Sequence, residues 1–205
     1  MAVTIEVLSD LKRISVADLR SYGLTNVPEG VRFSYHFPDG RAGKARLRVA
    51  LRGADGSKWS AIANEPITAY IAPPNHAFHN SAEMIVVEGE SDCWTAWTHG
   101  VRTLGIPGSD QTMVLSQDHL DGVRTVYIQR ERLDGPNRTF PKGVDHFVDE
   151  ISDRLVQIGF DGVIRILRMP DPFSDLSDMH VADPASFDER LATARVNSIL
   201  HPRSL

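Results

Sequence analysis

The sequence predicts an α/β protein, with a C-terminal parallel sheet flanked by helices and, before it, a small α+β subdomain built on an antiparallel meander. Three observations predict this. From residue 83 onward, short apolar runs alternate with helix-like stretches, the pattern of parallel strands joined by crossovers. Before residue 63, apolar and polar residues alternate with period two, and the alternation is broken by turn sequences. Charge divides along the same line. Between positions 32 and 58 stand Arg32, Arg41, Lys44, Arg46, Arg48, Arg52 and Lys58 against Asp39 and Asp55, so this stretch carries +5, whereas the whole chain carries −5 and the remainder therefore −10. We place a boundary near residue 80, giving a basic subdomain over 1–80 and the sheet domain over 81–205.

Taken in order, Ser15 is suited to cap a short helix beginning at Val16, and Gly23 to stop it. Residues 31–62 read as three strands. The first is 31–37, and Pro38-Asp39-Gly40 follows it as a turn. In the second, 44–49, basic and apolar residues alternate strictly, which puts Lys44, Arg46 and Arg48 on one face and Ala45, Leu47 and Val49 on the other. Gly53-Ala54-Asp55-Gly56 forms the next turn, and the third strand starts at Lys58. Tyr35, Phe37 and Trp59 suit either base stacking or the core. Residues 63–82 hold prolines and little periodicity and form a connector. Beyond it, strands are predicted at 84–87, 102–106, 125–129 and 163–167. Helices are predicted at 91–99, 116–121, 144–158 and 186–199. Gly100, Gly122 and Gly159 follow three of these helices, where C-caps favour glycine.

Composition excludes several classes. The 205 residues are 41% apolar and 24% charged, enough for a folded core of one large or two small domains. Cys93 is the single cysteine, so neither an internal disulfide nor a cysteine-built zinc site can form. No apolar run approaches the roughly 20 residues of a membrane span, and no signal-peptide pattern opens the chain. We expect a cytoplasmic protein with no membrane partner. No phosphate-binding Gly-x-x-x-x-Gly-Lys-Ser/Thr loop occurs.

Chemistry concentrates where apolar strands end. Met84-Ile85-Val86-Val87 runs into Glu88-Gly89-Glu90-Ser91-Asp92, delivering carboxylates to the C-terminal edge of a sheet, where open α/β folds place ligands. Glu90 and Asp92 also suit a helix start, by dipole and by cap. Leu104-Gly105-Ile106-Pro107-Gly108 ends a second strand in a turn able to approach phosphate. Val126 to Gln129 is followed by Arg130, Glu131, Arg132, Leu133 and Asp134, whose acids either face Glu88 across the sheet edge or pair with the arginines. A fourth segment holds Asp175 and Asp178, three apart and on one face if the segment is helical, then His180. Clustered carboxylates are costly without a cation, and oxygen donors of this kind suit Mg²⁺ or Mn²⁺. The basic strand face of Lys44, Arg46 and Arg48, with Arg41 and Arg52 nearby, is suited to track nucleic-acid phosphates.

Residues 83–190 resemble the Toprim domain. Glu88, Gly89 and Asp92 match its first motif, an apolar strand followed by Glu-Gly-x-x-Asp. Gln129-Arg130-Glu131 is similar to the second acidic motif as found in phage and mobile-element primase–helicases. The segment from Ser174 to His180 resembles their third motif, with Ser174 where a lysine is usual. Leu133 stands where the motif's second acid would fall, Asp134 comes one residue late, and 135–142 reads as an insertion. The resemblance implies a primase part: a metal-dependent nucleotidyltransferase making short oligonucleotides on single-stranded DNA. Glu88, Asp92 and Glu131 would be its catalytic residues, and Glu88, Glu131, Asp134, Asp175 and Asp178 its ligands for Mg²⁺ or Mn²⁺. Its partners would be single-stranded DNA, nucleotides and a replicative helicase domain or protein. A Toprim nuclease and a catalytically degenerate nucleic-acid-binding module of a larger replication protein are the alternatives.

Overall fold

The computed structural model describes residues 3–51, 56–61, 64–131 and 145–204. Arg52, the turn at 53–55, Arg132, Leu133, Asp134, the insertion 135–142 and the expected helix start at Val144 lie outside the described residues.

The N-terminal elements are α1 (Ile5–Lys12), α2 (Val16–Ser21), β1 (Leu24–Val27), β2 (Gly30–Phe33), β3 (Arg46–Arg48) and β4 (Ser57–Trp59). Ser15 caps α2 as expected, its hydroxyl accepting from the Asp18 amide. Two elements go beyond the sequence reading. Helix α1 is capped by Thr4 and ended by Arg13 in the left-handed conformation, where no glycine marks the stop. The meander has four antiparallel strands rather than three, in the order β1-β2-β3-β4, because Leu24–Val27 pairs with β2. Only Leu24 of those four residues is buried, so the strand lacks the alternation that identifies one.

The second sheet has five strands in the order β6-β5-β7-β8-β9. They are β5 (Glu83–Glu88), β6 (Thr103–Ile106), β7 (Thr125–Arg130), β8 (Val163–Arg168) and β9 (Ile199–Leu200). The first four are parallel, and β9 adds an antiparallel edge of two residues that the sequence pattern did not show. Helices α3 (Ser91–Thr98), α4 (Asp145–Gln157), α5 (Leu176–Ala182) and α6 (Phe187–Val196) cover it, while the helix expected at 116–121 is a 3₁₀ turn over Gln117–Leu120.

Strand residues alternate between two cores, as period two requires. Met84, Val86, Val126 and Ile128 pack with Val148, Ile151 and Leu155 of α4. Ile85, Val87 and Tyr127 pack on the opposite face with α3, α5 and α6, in a cluster that also holds Leu8, Leu19, Phe33, Tyr35 and Tyr70. One apolar core therefore contains side chains from both sides of residue 80. Tyr35 is fully buried and belongs to this core. Tyr70 joins the two halves twice: its backbone bridges Gly105 of the edge strand β6, and its hydroxyl accepts from Trp94 Nε1 at 2.8 Å.

Gly105 permits the approach of β6 to the turn after β5. A Cβ there would lie 2.7 Å from the Gly89 carbonyl oxygen and 2.9 Å from Cys93 Sγ. Gly105→Ala should therefore destabilise the fold by about 1–3 kcal/mol, read as a lower midpoint in chemical denaturation with an unchanged slope.

Candidate metal centre and adjoining cleft

The strand ends bring acids from three separate segments together. One carboxylate oxygen each of Asp92, Glu131 and Asp175 lies within 4.8 Å of the others. Asp92 sits in the first turn of α3, Glu131 just past β7, and Asp175 at the N-cap of α5. Parallel strands with a common C-terminal edge produce this convergence.

Asp92 is buried and fixed on both oxygens. Oδ1 accepts the Ser177 amide at 2.8 Å, and Oδ2 faces Gln129 Nε2 at 3.4 Å. Burial, then the neighbouring Asp175 and Glu131, push its carboxyl well above the usual carboxylate range, while the Ser177 amide and the positive charge of Lys12 pull the other way. Lys12 reaches the site from the end of α1 and donates to Ser177 Oγ at 2.8 Å. Gln129 Oε1 is buried with no partner among the described residues. Three acids held this close, the central one desolvated, fit an oxygen-coordinated divalent cation, and the orphaned Gln129 oxygen is an acceptor that a metal-bound water would satisfy. Among the described residues this is the trio that the structure gathers.

The other sequence-derived residues fall around it. Glu88 ends β5 and lines an open cleft together with Arg46, Gly89, Glu90, Pro107, Gly108 and Glu131. Asp178 lies outside the trio: it is exposed at the start of α5, its amide donates to Asp175 Oδ1 at 2.7 Å, and its carboxylate accepts from Ser174 Oγ.

The basic face of the meander points inward. Arg46 stands opposite Phe33 and Trp59, and Arg48 opposite Val31 and Ser57, and directly paired residues share a face. Val31 and Phe33 are buried, so Arg46 and Arg48 turn towards the sheet domain. Arg46 Nη1 donates to Glu90 Oε1 at 2.7 Å, and the same oxygen accepts from Tyr35 Oη at 2.5 Å. Glu90, read from the sequence as a strand-end carboxylate or a helix-start acid, is thus a buried acid bridging the two sheets. Lys44 lies before β3 and is anchored through its amide to the Pro66 carbonyl. Arg41 is exposed, paired with Asp39 at 2.6 Å and stacked on Phe37.

Sequence reasoning named Glu90 as a strand-end carboxylate and Tyr35 as a stacking or core aromatic but not their contact, and it assigned no role in the site to the Gln129 side chain, Ser177 or Lys12. Period two along β7 puts Gln129 on the same side as Tyr127, beneath α3, and could have found it. The Tyr35–Glu90–Arg46 and Lys12–Ser177 contacts span 44 to 165 positions, and no local pattern encodes them.

No protein-family model and no curated protein matches the sequence. The architecture does match solved structures: it is the Toprim-containing catalytic-core fold of bacterial DNA primases. The Escherichia coli primase catalytic core superposes with a TM-score of 0.57 at 13% identity, covering 97% of this chain and 66% of that one. The Aquifex aeolicus primase, comprising its zinc-binding and RNA polymerase domains, gives 0.59 at 15%, covering 96% and 49%. A DnaG primase catalytic domain bound to single-stranded DNA gives 0.59 at 16%, covering 92% and 59%. The chain thus spans about half to two thirds of the length of these proteins. No helix among the described residues is long and apolar enough to cross a membrane.

Proposed function

We propose that this protein is a primase-like nucleotidyltransferase that makes short oligonucleotides on single-stranded DNA. The observation that carries this reading is the convergence of Asp92, Glu131 and Asp175 at the C-terminal edge of a primase-like sheet. That one of the structures sharing this fold holds single-stranded DNA supports the choice of template.

In this reading the trio holds Mg²⁺ or Mn²⁺, which supplies charge stabilisation for an in-line displacement at phosphorus. The 3′-hydroxyl of the growing chain attacks the α-phosphorus of a nucleoside triphosphate. A P–O bond forms there, the bond to the β-phosphate breaks, and pyrophosphate leaves. Glu88, at the rim of the same cleft, takes the hydroxyl proton. Asp92 and Asp175 are held in place by α3 and α5, and the Ser177 amide fixes Asp92 for its part. Asp134, just after the second motif in the sequence, and Asp178, in the first turn of α5, are further candidates to bind the ion.

The test is a gel assay with an unlabelled single-stranded template, labelled ribonucleotides and Mn²⁺. The native protein should yield short labelled oligonucleotides, and Glu88→Ala should reduce them by about 10²-fold or more. If a labelled strand is instead shortened in the presence of metal, the reaction is nucleolytic and this reading fails.

A further inference from the structure

Gln129 is a polar side chain buried near the end of an apolar strand. It lies in β7 two residues before Glu131 and stands in register with Leu167 of β8. Only 2% of it is exposed. Period two turns it to the side of Tyr127, beneath α3 and Asp92. Packing alone needs no amide at such a position, and a buried amide without full hydrogen bonding costs free energy.

The two ends of the amide differ. Nε2 faces Asp92 Oδ2 at 3.4 Å, whereas Oε1 is buried with no partner among the described residues. An ionised carboxylate accepts hydrogen bonds and donates none, so with an ion bound the amide turns its N–H to Asp92 and leaves its oxygen to find a donor. Glu131 and Asp175, gathered with Asp92, are acceptors too. The donors that come to Asp92 from other elements are committed: the Ser177 amide to Asp92 Oδ1 and Lys12 Nζ to Ser177 Oγ, each at 2.8 Å. Water is the donor that remains. A water among acceptors can give one hydrogen to Oε1 and the other to a carboxylate, but its own lone pairs then meet no donor. A cation satisfies them.

We propose that Gln129 is a positioning residue of the metal centre, its Oε1 holding a water on the divalent ion and its Nε2 holding Asp92. The inference rests on the metal-dependent reading above and deepens it. An ion held this way keeps part of its hydration shell, as Mg²⁺ does where few protein ligands reach it.

The experiment measures Mn²⁺ affinity by calorimetry and, in the same preparations without metal, the thermal midpoint. Gln129→Met is close in size but lacks the acceptor. It should weaken Mn²⁺ binding about tenfold, while the metal-free midpoint stays the same or rises, because a buried orphan acceptor is gone. Gln129→Glu restores an acceptor and should bind Mn²⁺ at least as tightly as the native protein, with a lower metal-free midpoint, since a fourth acid joins the cluster. These opposite signs separate a role toward the ion from a structural one. Electron paramagnetic resonance of Mn²⁺ on the native protein, in water enriched in a magnetic oxygen isotope, should show line broadening from at least one retained water. This measurement keeps the test alive if Gln129→Met unfolds. Unchanged Mn²⁺ affinity in Gln129→Met overturns the proposal, as do a parallel fall of affinity and midpoint in that variant, weakened binding in Gln129→Glu, or a bound ion without water. If the native protein binds Mn²⁺ and Gln129→Met binds it equally, the role of Gln129 alone is wrong. If the native protein binds no Mn²⁺, the metal-dependent reading falls with it.

Discussion

Asp92→Asn should abolish metal-dependent synthesis while making the metal-free protein more stable. The substitution keeps the size of the side chain and its acceptor for the Ser177 amide, but removes a titratable carboxyl whose ionised form is opposed by burial and by Asp175 and Glu131. We expect a fall in oligonucleotide synthesis of about 10²-fold or more and a gain at neutral pH of about 1–2 kcal/mol, the usual scale when a strained functional group is relieved. The pH dependence gives the sign. The folded-state pKa of Asp92 is raised, so the folded protein retains a proton that the unfolded chain has released. Its contribution to stability is full below the unfolded value of about 4 and declines as pH rises towards the folded value. Thermal melting of the metal-free native protein should show this decline above pH 4, and Asp92→Asn should lack it. Added Mn²⁺ should displace the proton and stabilise the native protein most at the upper end of that window.

The second large effect concerns the joint between the two sheets. Arg46→Ala leaves Glu90, with its side chain 7% exposed, facing Tyr35 alone. Removing one member of a buried pair costs about 3–5 kcal/mol, and a protein of this size loses about 2–4 °C in Tm per kcal/mol, so a drop of at least about 6 °C is expected. Tyr35→Phe removes one hydrogen bond to a charged group and should cost about 1.5–3 kcal/mol. Glu90→Gln retains an acceptor for both donors and should cost less than Arg46→Ala. Equal Tm values for Arg46→Ala and the native protein would show that the pair contributes nothing to the joint.

Which features were legible in the sequence follows from the range of the interactions that create them. The four parallel strands are short, largely apolar runs, and their boundaries fall within a residue or so of the expected ones. Local periodicity suffices for that. Asp92, Glu131 and Asp175 were legible as candidates because each follows an apolar strand, but their meeting depends on the order β6-β5-β7-β8, which places β7 between β5 and β8. The orientation of Arg46 and Arg48 was half legible. Period two put them on one face, yet only the pairing of β2 with β3 shows that this face turns to the core. Helix α1 was missed because Arg13 ends it in a conformation that glycine usually marks. Edge strand β9 has two residues and no pattern to read.

The central claim is that the three acids bind a divalent ion, and the most direct measurement is Mn²⁺ binding followed by electron paramagnetic resonance or calorimetry. The native protein should bind Mn²⁺ in competition with Mg²⁺, and Asp92→Asn and Glu131→Gln should each lower the affinity at least about tenfold while remaining folded. Absence of saturable Mn²⁺ binding by the native protein, or equal affinity in both variants, would contradict it.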